Sequence, residues 1–159
     1  MDCKNESEIE IEEIKIEDYG RLKDIIREQQ LYHYQLNGPY KERFLRINEK
    51  NFQEYMMRKA KSITYVAVIE DTIIGFSSAY INHHNESLVE DLFISESYRN
   101  KSIGTKLFQK LLMWLENNHV ETIDIHVSIG NESVIQFYEK NDFKMTGYSL
   151  KKVNEHIDK

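Results

Sequence analysis

Between Leu88 and Leu115 the spacing of apolar residues changes period once. Leu88, Glu90, Leu92 and Ile94 share one face of a two-residue repeat, and Val89, Asp91 and Phe93 share the other, which predicts a strand. Ile103, Leu107, Leu111 and Leu115 then recur every four residues, with Phe108 and Leu112 beside them, which predicts a long amphipathic helix. Arg99, Asn100, Lys101, Ser102 and Gly104 fill the turn between strand and helix. Cationic side chains and permissive backbone at a helix N-terminus form a candidate anion site, because free N–H groups and the helix dipole both favour negative charge there. Phosphate is the most economical such anion.

The same patterning organises the rest of the chain. Ile9, Ile11, Ile14 and Ile16 predict a first strand whose apolar parity shifts midway, so it starts near Glu12 or carries a bulge. Asp18 is the expected cap of a following helix with Leu22, Ile25, Ile26 and Gln29 at helical spacing, stopped by Asn37-Gly38-Pro39. A second helical stretch from Lys41 to Lys61, either one helix or two short ones, carries Phe44, Ile47, Phe52, Tyr55 and Met56. Tyr32, His33, Tyr34 and Tyr40 form an aromatic group near the junction, read either as packing or as the wall of an acceptor pocket. Tyr65 to Ile69 and Thr72 to Ile81 flank Glu70-Asp71 as a hairpin, and His83-His84-Asn85 turns the chain again before Leu88. After the long helix, Glu121 to Ser128 predicts a strand parallel to the earlier one, followed by a short helix from Glu132 to Asn141 and a last strand from Lys144 to Val153. The predicted fold class is α/β of the α+β type, with a mixed, mostly antiparallel sheet flanked by helices and one β-α-β crossover at its centre. Ligands in such sheets bind beyond the carboxyl ends of parallel strands.

Composition narrows the classes. A length of 159 residues fits one domain, and no linker or repeat divides residues 1–159. The net charge of -6 argues against non-specific nucleic-acid binding and tolerates cationic ligands such as amines. Cys3 is the sole cysteine, which excludes an intrachain disulfide, and its polar surroundings do not favour a catalytic thiol. The first residues lack the apolar stretch of a signal peptide and no window reaches membrane-spanning length, so a cytoplasmic protein without membrane contact is expected. Adjacent His83 and His84 face apart on an extended turn, and no Cys/His/carboxylate constellation completes a metal site. His126 falls on the polar side of its strand, as a structural residue or as a cleft residue assisting proton removal.

Two segments carry a family resemblance. Arg99-Asn-Lys-Ser-Ile-Gly-Thr105, opening a helix, resembles the Arg/Gln-x-x-Gly-x-Gly/Ala loop of the GNAT superfamily of acyl-CoA-dependent N-acyltransferases. Asn131-Glu-Ser-Val-Ile-Gln-Phe-Tyr-Glu-Lys-Asn-Asp-Phe143 resembles its Asn-x-x-Ala-x-x-Phe-Tyr-x-x-x-Gly-Phe segment. The order and spacing match, and the Glu-Asp-Leu-Phe-Ile run before the loop is similar to the spermidine/spermine acetyltransferase branch and to many bacterial members. The resemblance implies a sheet splayed between the strands ending at Ile94 and Ser128, with the pantetheine arm of acetyl-CoA pairing along Leu92, Phe93 and Ile94 as an added strand would. It implies a pyrophosphate held by N–H groups of Asn100, Lys101, Ser102, Ile103, Gly104 and Thr105, helped by Arg99 or Lys101. Asn131, capping the last helix, and Ser133 would approach the pantetheine or adenylate, alongside Tyr138. This chain departs from the pattern at three glycine positions, occupied by Asn100, Ser102 and Asp142. A serine in the left-handed region costs about 1–2 kcal/mol; with ordinary backbone, Ser102 would instead cap the helix or bond a phosphate oxygen.

The implied chemistry needs a neutral nucleophile. An amine of pKa ~10.4 is neutral about once in 2,500 at pH 7, a barrier contribution of roughly 4–5 kcal/mol. Glu90, on an otherwise apolar predicted face and matching the family's Glu, is the candidate base, acting directly or through water, with Asp91 pointing the other way. Tyr138 matches the family's general acid, since a phenol can protonate the leaving thiolate. A backbone N–H near Ile94 would polarise the carbonyl. The expected activity is therefore N-acetyl transfer from acetyl-CoA to a primary amine, such as a polyamine, an aminoglycoside or a peptide amine. It needs no metal and no covalent enzyme intermediate. Family members frequently dimerise, which admits a homodimer here. The rivals are a non-catalytic acyl-CoA-binding sensor and a protein-interaction module.

Overall fold

A five-stranded sheet in the order β1-β2-β3-β4-β5 forms the frame: β1 (Glu10–Glu13), β2 (Lys61–Ile69), β3 (Thr72–Ile81), β4 (Ser87–Ile94) and β5 (Ile123–Ile125). The computed structural model describes residues 8–154, so the reading of Cys3 lies outside the described residues. The first three pairings are antiparallel and β4 with β5 is parallel, which makes the molecule a mixed α/β protein with a mostly antiparallel sheet. The helices are α1 (Lys23–Gln35), α2 (Glu49–Met57), α3 (Ile103–Asn117) and α4 (Ile135–Glu139).

Each face of the sheet has its own core. Tyr19, Leu22, Ile25, Ile26, Phe52 and Met56 from the α1 and α2 side pack against Val66, Phe76 and Phe93. On the opposite face, Ile103, Leu107, Phe108, Leu111 and Leu115 of α3 cover Ile63, Ala67, Ile74, Ala79 and Val89. The four-residue stripe read from the sequence is thus the buried seam of α3. The β2–β3 hairpin turns through Glu70 and Asp71, both with positive φ (46° and 66°), the combination whose twist matches that of the flanking strands.

Several expectations are corrected. Asp18 does not cap a helix: residues 16–22 form a 3₁₀ turn, in which the Asp18 N–H donates to Lys15 O, and α1 begins only at Lys23. The 41–61 stretch, by contrast, takes the second of its two expected forms, two short helical pieces, because Ile47 adopts extended backbone and Asn48 caps α2 anew with a capping box to Asn51. The crossover β4-α3-β5 lies at the sheet edge rather than its centre, since β5 is the terminal strand. No strand forms over residues 144–153; Met145, Tyr148, Leu150 and Val153 are exposed, and Gly147 with Lys151-Lys152 interrupts any period-two face. The alternation in β4 also breaks. Ser78 pairs with Asp91 but Ala79 pairs with Val89, so Glu90 is the extra residue of a β-bulge. Val89 joins Leu92 and Ile94 on the α3 face, while Phe93 lies on the other, and Glu90 leaves the apolar face on which the repeat had placed it.

The α3 seam sets a stability prediction. Leu107 is fully buried and Met113, on the same helix, is 62% exposed. Leu107→Ala should lower the unfolding free energy by about 2–5 kcal/mol in denaturant titration, and Met113→Ala should change it by less than about 0.5 kcal/mol.

Candidate active site

Strands β4 and β5 pair only from Ser87 with Ile123 to Val89 with Ile125, then part. The bulge at Glu90 begins where the pairing ends. Between the diverging segments lies a cleft of about 860 Å³, walled on one side by residues 89–94 and on the other by residues 125–128. Ser95 N–H donates to Ile74 O at 2.8 Å, so strand alternation turns the amides of Leu92 and Ile94 away from β3 and toward the cleft. Gly75 allows this close approach of β3 and β4: a Cβ there would lie 2.6 Å from Ile94 Cδ1 and 3.0 Å from Phe93 O. Glu28 of α1 fixes the strand's exit, accepting from Ser95 Oγ (2.7 Å) and the Glu96 N–H (3.2 Å).

At the mouth, Asn100 and Ser102 both take left-handed backbone, φ 62° and 61°. These are two of the positions where the resembling loop has glycine, so the loop keeps a glycine-like path with other residues. Ser102 makes no side-chain cap, and its carbonyl accepts the Lys106 N–H. The N–H groups of the first turn, including Ile103, Gly104 and Thr105, therefore have no intrahelical acceptor and present positive partial charge at the cleft. Arg99 is anchored by its Nε to Ile94 O (3.0 Å), with its guanidinium 4.8 Å above the Tyr32 ring and 5.4 Å from the Phe93 ring. Lys101 leans over Tyr98 and stands outside the cleft wall, whereas the other predicted cofactor contacts, Asn131, Ser133 and Tyr138 among them, line it. The Asn131 side chain does not cap the following helical turn; its Oδ1 accepts from Tyr32 OH at 2.6 Å.

Three ionisable groups, Glu90, Asp91 and Tyr138, line the cleft. The Glu90 side chain reaches solvent, yet enough protein surrounds its carboxyl that desolvation, with the neighbouring Asp91 charge, pushes it up to about 7 against the opposing pull of Lys59 and Tyr55. Asp91 accepts from Gln29 Nε2 (2.8 Å) at one oxygen and from Ser78 Oγ (2.7 Å) at the other; burial raises it as well, against those two bonds. Tyr138 packs edge-on to Phe108 and Phe143, and burial with the Asp91 charge raises its phenol to about 12, so it carries its proton throughout the neutral range.

The sequence reading missed Gln29 as a carboxylate partner, because its helical spacing resembled that of a packing residue. The aromatic group divides: Tyr32 and His33 line the cleft, while Tyr34 carries Lys41 over its ring and Tyr40 OH donates to Lys151 O. His33 stacks on Phe44, and desolvation followed by Arg43 lowers its pKa. His126 reaches the cleft wall just beyond β5. Among the described residues no group of three or more His, Cys, Asp or Glu side chains could hold a metal ion, and no helix is long and apolar enough to cross a membrane.

Comparison with known proteins gives a consistent picture. The acetyltransferase (GNAT) family is matched over residues 22–143. Streptothricin acetyltransferase A of Bacillus subtilis (strain 168) is 28% identical over 113 residues, covering 64% of this chain and 62% of that protein. N-acetylaspartate synthetase of Xenopus tropicalis is 26% identical over 114 residues, covering 71% and 41%. The chain thus spans less than two thirds of either curated relative. The crystal structure of PaiA N-acetyltransferase from Thermoplasma acidophilum in complex with coenzyme A superposes with a TM-score of 0.74 at 23% identity, covering 89% of this chain and 93% of that one. At that identity the likeness shows a shared fold.

The carboxyl pair gives a titration prediction. Carbon-detected NMR should find Glu90 titrating near 7 rather than near the ordinary 4.5. Lys59→Met should move it higher and Asp91→Asn lower. A carboxyl whose folded value exceeds its unfolded value costs stability as pH rises from about 4.5 to about 7, and Glu90→Gln should flatten that decline.

Proposed function

Because the chain belongs to the acetyltransferase (GNAT) family, we propose that it acts as one domain that moves an acetyl group from acetyl-CoA to a primary amine. The observation that carries this reading is the wedge where β4 and β5 part, with a left-handed loop and an unpaired helix start at its mouth. The residues present fit acetyl-CoA. The unpaired first-turn amides and Asn100-to-Thr105 backbone suit a diphosphate, and the cleft-facing amides of Leu92 and Ile94 suit the amide-bearing pantetheine arm as an added strand. Acetyl-CoA supplies an activated acyl carbon.

Glu90 is the base of this reading. With its value near 7 it is substantially ionised at neutral pH and basic enough to take a proton from an ammonium, directly or through water. Asp91 is the poorer base because both its oxygens already accept hydrogen bonds; its charge instead keeps Glu90 basic. A backbone N–H near Ile94 is the donor offered to the carbonyl oxygen. Tyr138 gives its proton to the departing sulfur. In balance, a C–N bond forms and the C–S bond breaks. One ammonium proton leaves through Glu90 to solvent, and the second N–H proton replaces the one Tyr138 gave to the thiol. The two relatives are named for different acetylated compounds, so the acceptor is argued from this chain: its net charge of -6 and the Glu90-Asp91 pair favour a cationic amine.

The direct test is free-thiol release from acetyl-CoA with a panel of polyamines, aminoglycosides, amino acids and peptides. Turnover with at least one amine is expected, rising with pH through a midpoint near 7. Glu90→Gln should lower kcat about 100-fold and abolish that rise, and Tyr138→Phe should lower kcat at least about tenfold. CoA affinity by calorimetry should stay nearly unchanged in both. No thiol release despite measured acetyl-CoA binding overturns the catalytic reading, and full rates in both variants overturn the assigned roles.

A further inference from the structure

One wall of the cleft comes from α1 and from the helical turn at Lys41–Arg46, and it carries the charge opposite to that of the Glu90-Asp91 pair. The Arg43 guanidinium lies 4.8 Å from the centroid of the Phe44 ring, and Phe44 stacks on His33 with centroids 4.9 Å apart and planes at 21°. All three residues line the cleft. Lys151, which also lines it, is joined to the same turn through Tyr40: Tyr40 OH donates to Lys151 O at 3.4 Å, and Tyr40 O accepts the Arg43 N–H at 3.1 Å. Among the described residues Arg43 makes no ion pair and donates no side-chain hydrogen bond, so the Phe44 ring positions its guanidinium and leaves the N–H fork open to a ligand. Arg99, by contrast, spends its Nε on Ile94 O at the cofactor loop. His33 Nδ1 is buried without a partner, so contacts with Phe44 and Tyr32 hold that ring in place of a hydrogen bond.

A fork of two parallel N–H donors matches the two oxygens of a carboxylate, and a guanidinium laid on an aromatic face is already oriented for it. We propose that Arg43, carried on Phe44 and His33, is an anion-anchoring subsite of the acceptor pocket, and that the acceptor is a primary amine bearing a carboxylate several bonds from its nitrogen. The inference rests on the acetyl-transfer reading for the word acceptor, and it narrows that reading. Glu90 receives the ammonium end and its proton, while Arg43 holds the other end, so the two charges of the acceptor meet different residues. The two places are separate along the wall. Gln29, which donates to Asp91 at 2.8 Å, precedes His33 by one turn of α1, about 6 Å along the axis, and the His33–Phe44 stack then leads on to Arg43. A carboxylate on the carbon next to the amine is too close to bridge them. Phe44 and Ile47, the latter 40% exposed, offer apolar surface at the cleft for the carbons that link the two ends.

The test is binding of 6-aminohexanoate, n-hexylamine and hexane-1,6-diamine to the whole chain loaded with CoA, by calorimetry and by the ring NMR signals of His33. In the wild type 6-aminohexanoate should bind about tenfold more tightly than n-hexylamine and shift the His33 signals, and the diamine should bind more weakly than either. Arg43→Gln, at an exposed position, should remove the tenfold preference and leave n-hexylamine binding unchanged, and Arg43→Lys should restore part of it. Glycine should bind alike in wild type and Arg43→Gln. Affinity for 6-aminohexanoate no better than for n-hexylamine overturns the proposal, as does a preference that survives in Arg43→Gln. So does a tenfold loss of CoA affinity in Arg43→Gln, which would give the guanidinium to the cofactor's phosphates, and so does glycine binding that falls as 6-aminohexanoate binding does. The readout needs no turnover: thiol release with some amine alongside a flat binding series leaves the enzyme reading standing and removes this one, while the expected series without thiol release from any amine does the reverse.

Discussion

The parting of β4 from β5 after Val89 and Ile125 is the constraint on which the rest of the site depends. A strand edge inside a sheet is normally consumed by its neighbour, and a backbone N–H buried without a partner is costly. Here β5 ends after three residues, so the amides of Leu92 and Ile94 are left facing an open wedge rather than another strand. Anything that fills that wedge with amide groups of its own completes the sheet's hydrogen bonding, which is why a pantetheine arm suits it and a compact ligand without amides does not.

Holding β4 in this half-paired state requires firm anchoring on its other edge. The ladder to β3 continues through Phe76 with Phe93 and Gly75 with Ile94, and Glu28 ties the exit of β4 to α1. The bulge at Glu90 belongs to the same design. One extra residue keeps Val89 and Leu92 on the α3 core and releases Glu90 from both cores, while Asp91 faces Gln29 and Ser78. Had the ladder run on regularly, Glu90 would point into the apolar face under α3, where ionisation is most expensive. The bulge thus joins the fold to the base proposed for it.

Much of this was legible in the residues. The α3 stripe from Ile103 to Leu115, the β2–β3 hairpin at Glu70-Asp71 and the loop from Arg99 to Thr105 depend on local periodicity and backbone preference, and those signals survive in a single sequence. The bulge did not announce itself, because a period-two count over residues 88–94 accepts Glu90 as readily as it accepts an apolar residue. Its position is fixed by the pairing of Ser78 and Ala79 with β4, a long-range fact. The Gln29–Asp91 and Tyr32–Asn131 bonds span 62 and 99 positions and leave no local trace. The strand expected over 144–153 did not form, since Gly147 and Lys151-Lys152 break the period-two face that a ladder would have buried.

Amide hydrogen exchange resolved at Leu92 and Ile94, with and without CoA, tests the wedge most directly. The account predicts that both amides exchange quickly in the free protein and are strongly protected once CoA is bound, while Phe93, already paired to β3, changes little. Protection of Leu92 and Ile94 before CoA is added, or no change at either when calorimetry shows CoA bound, would contradict it.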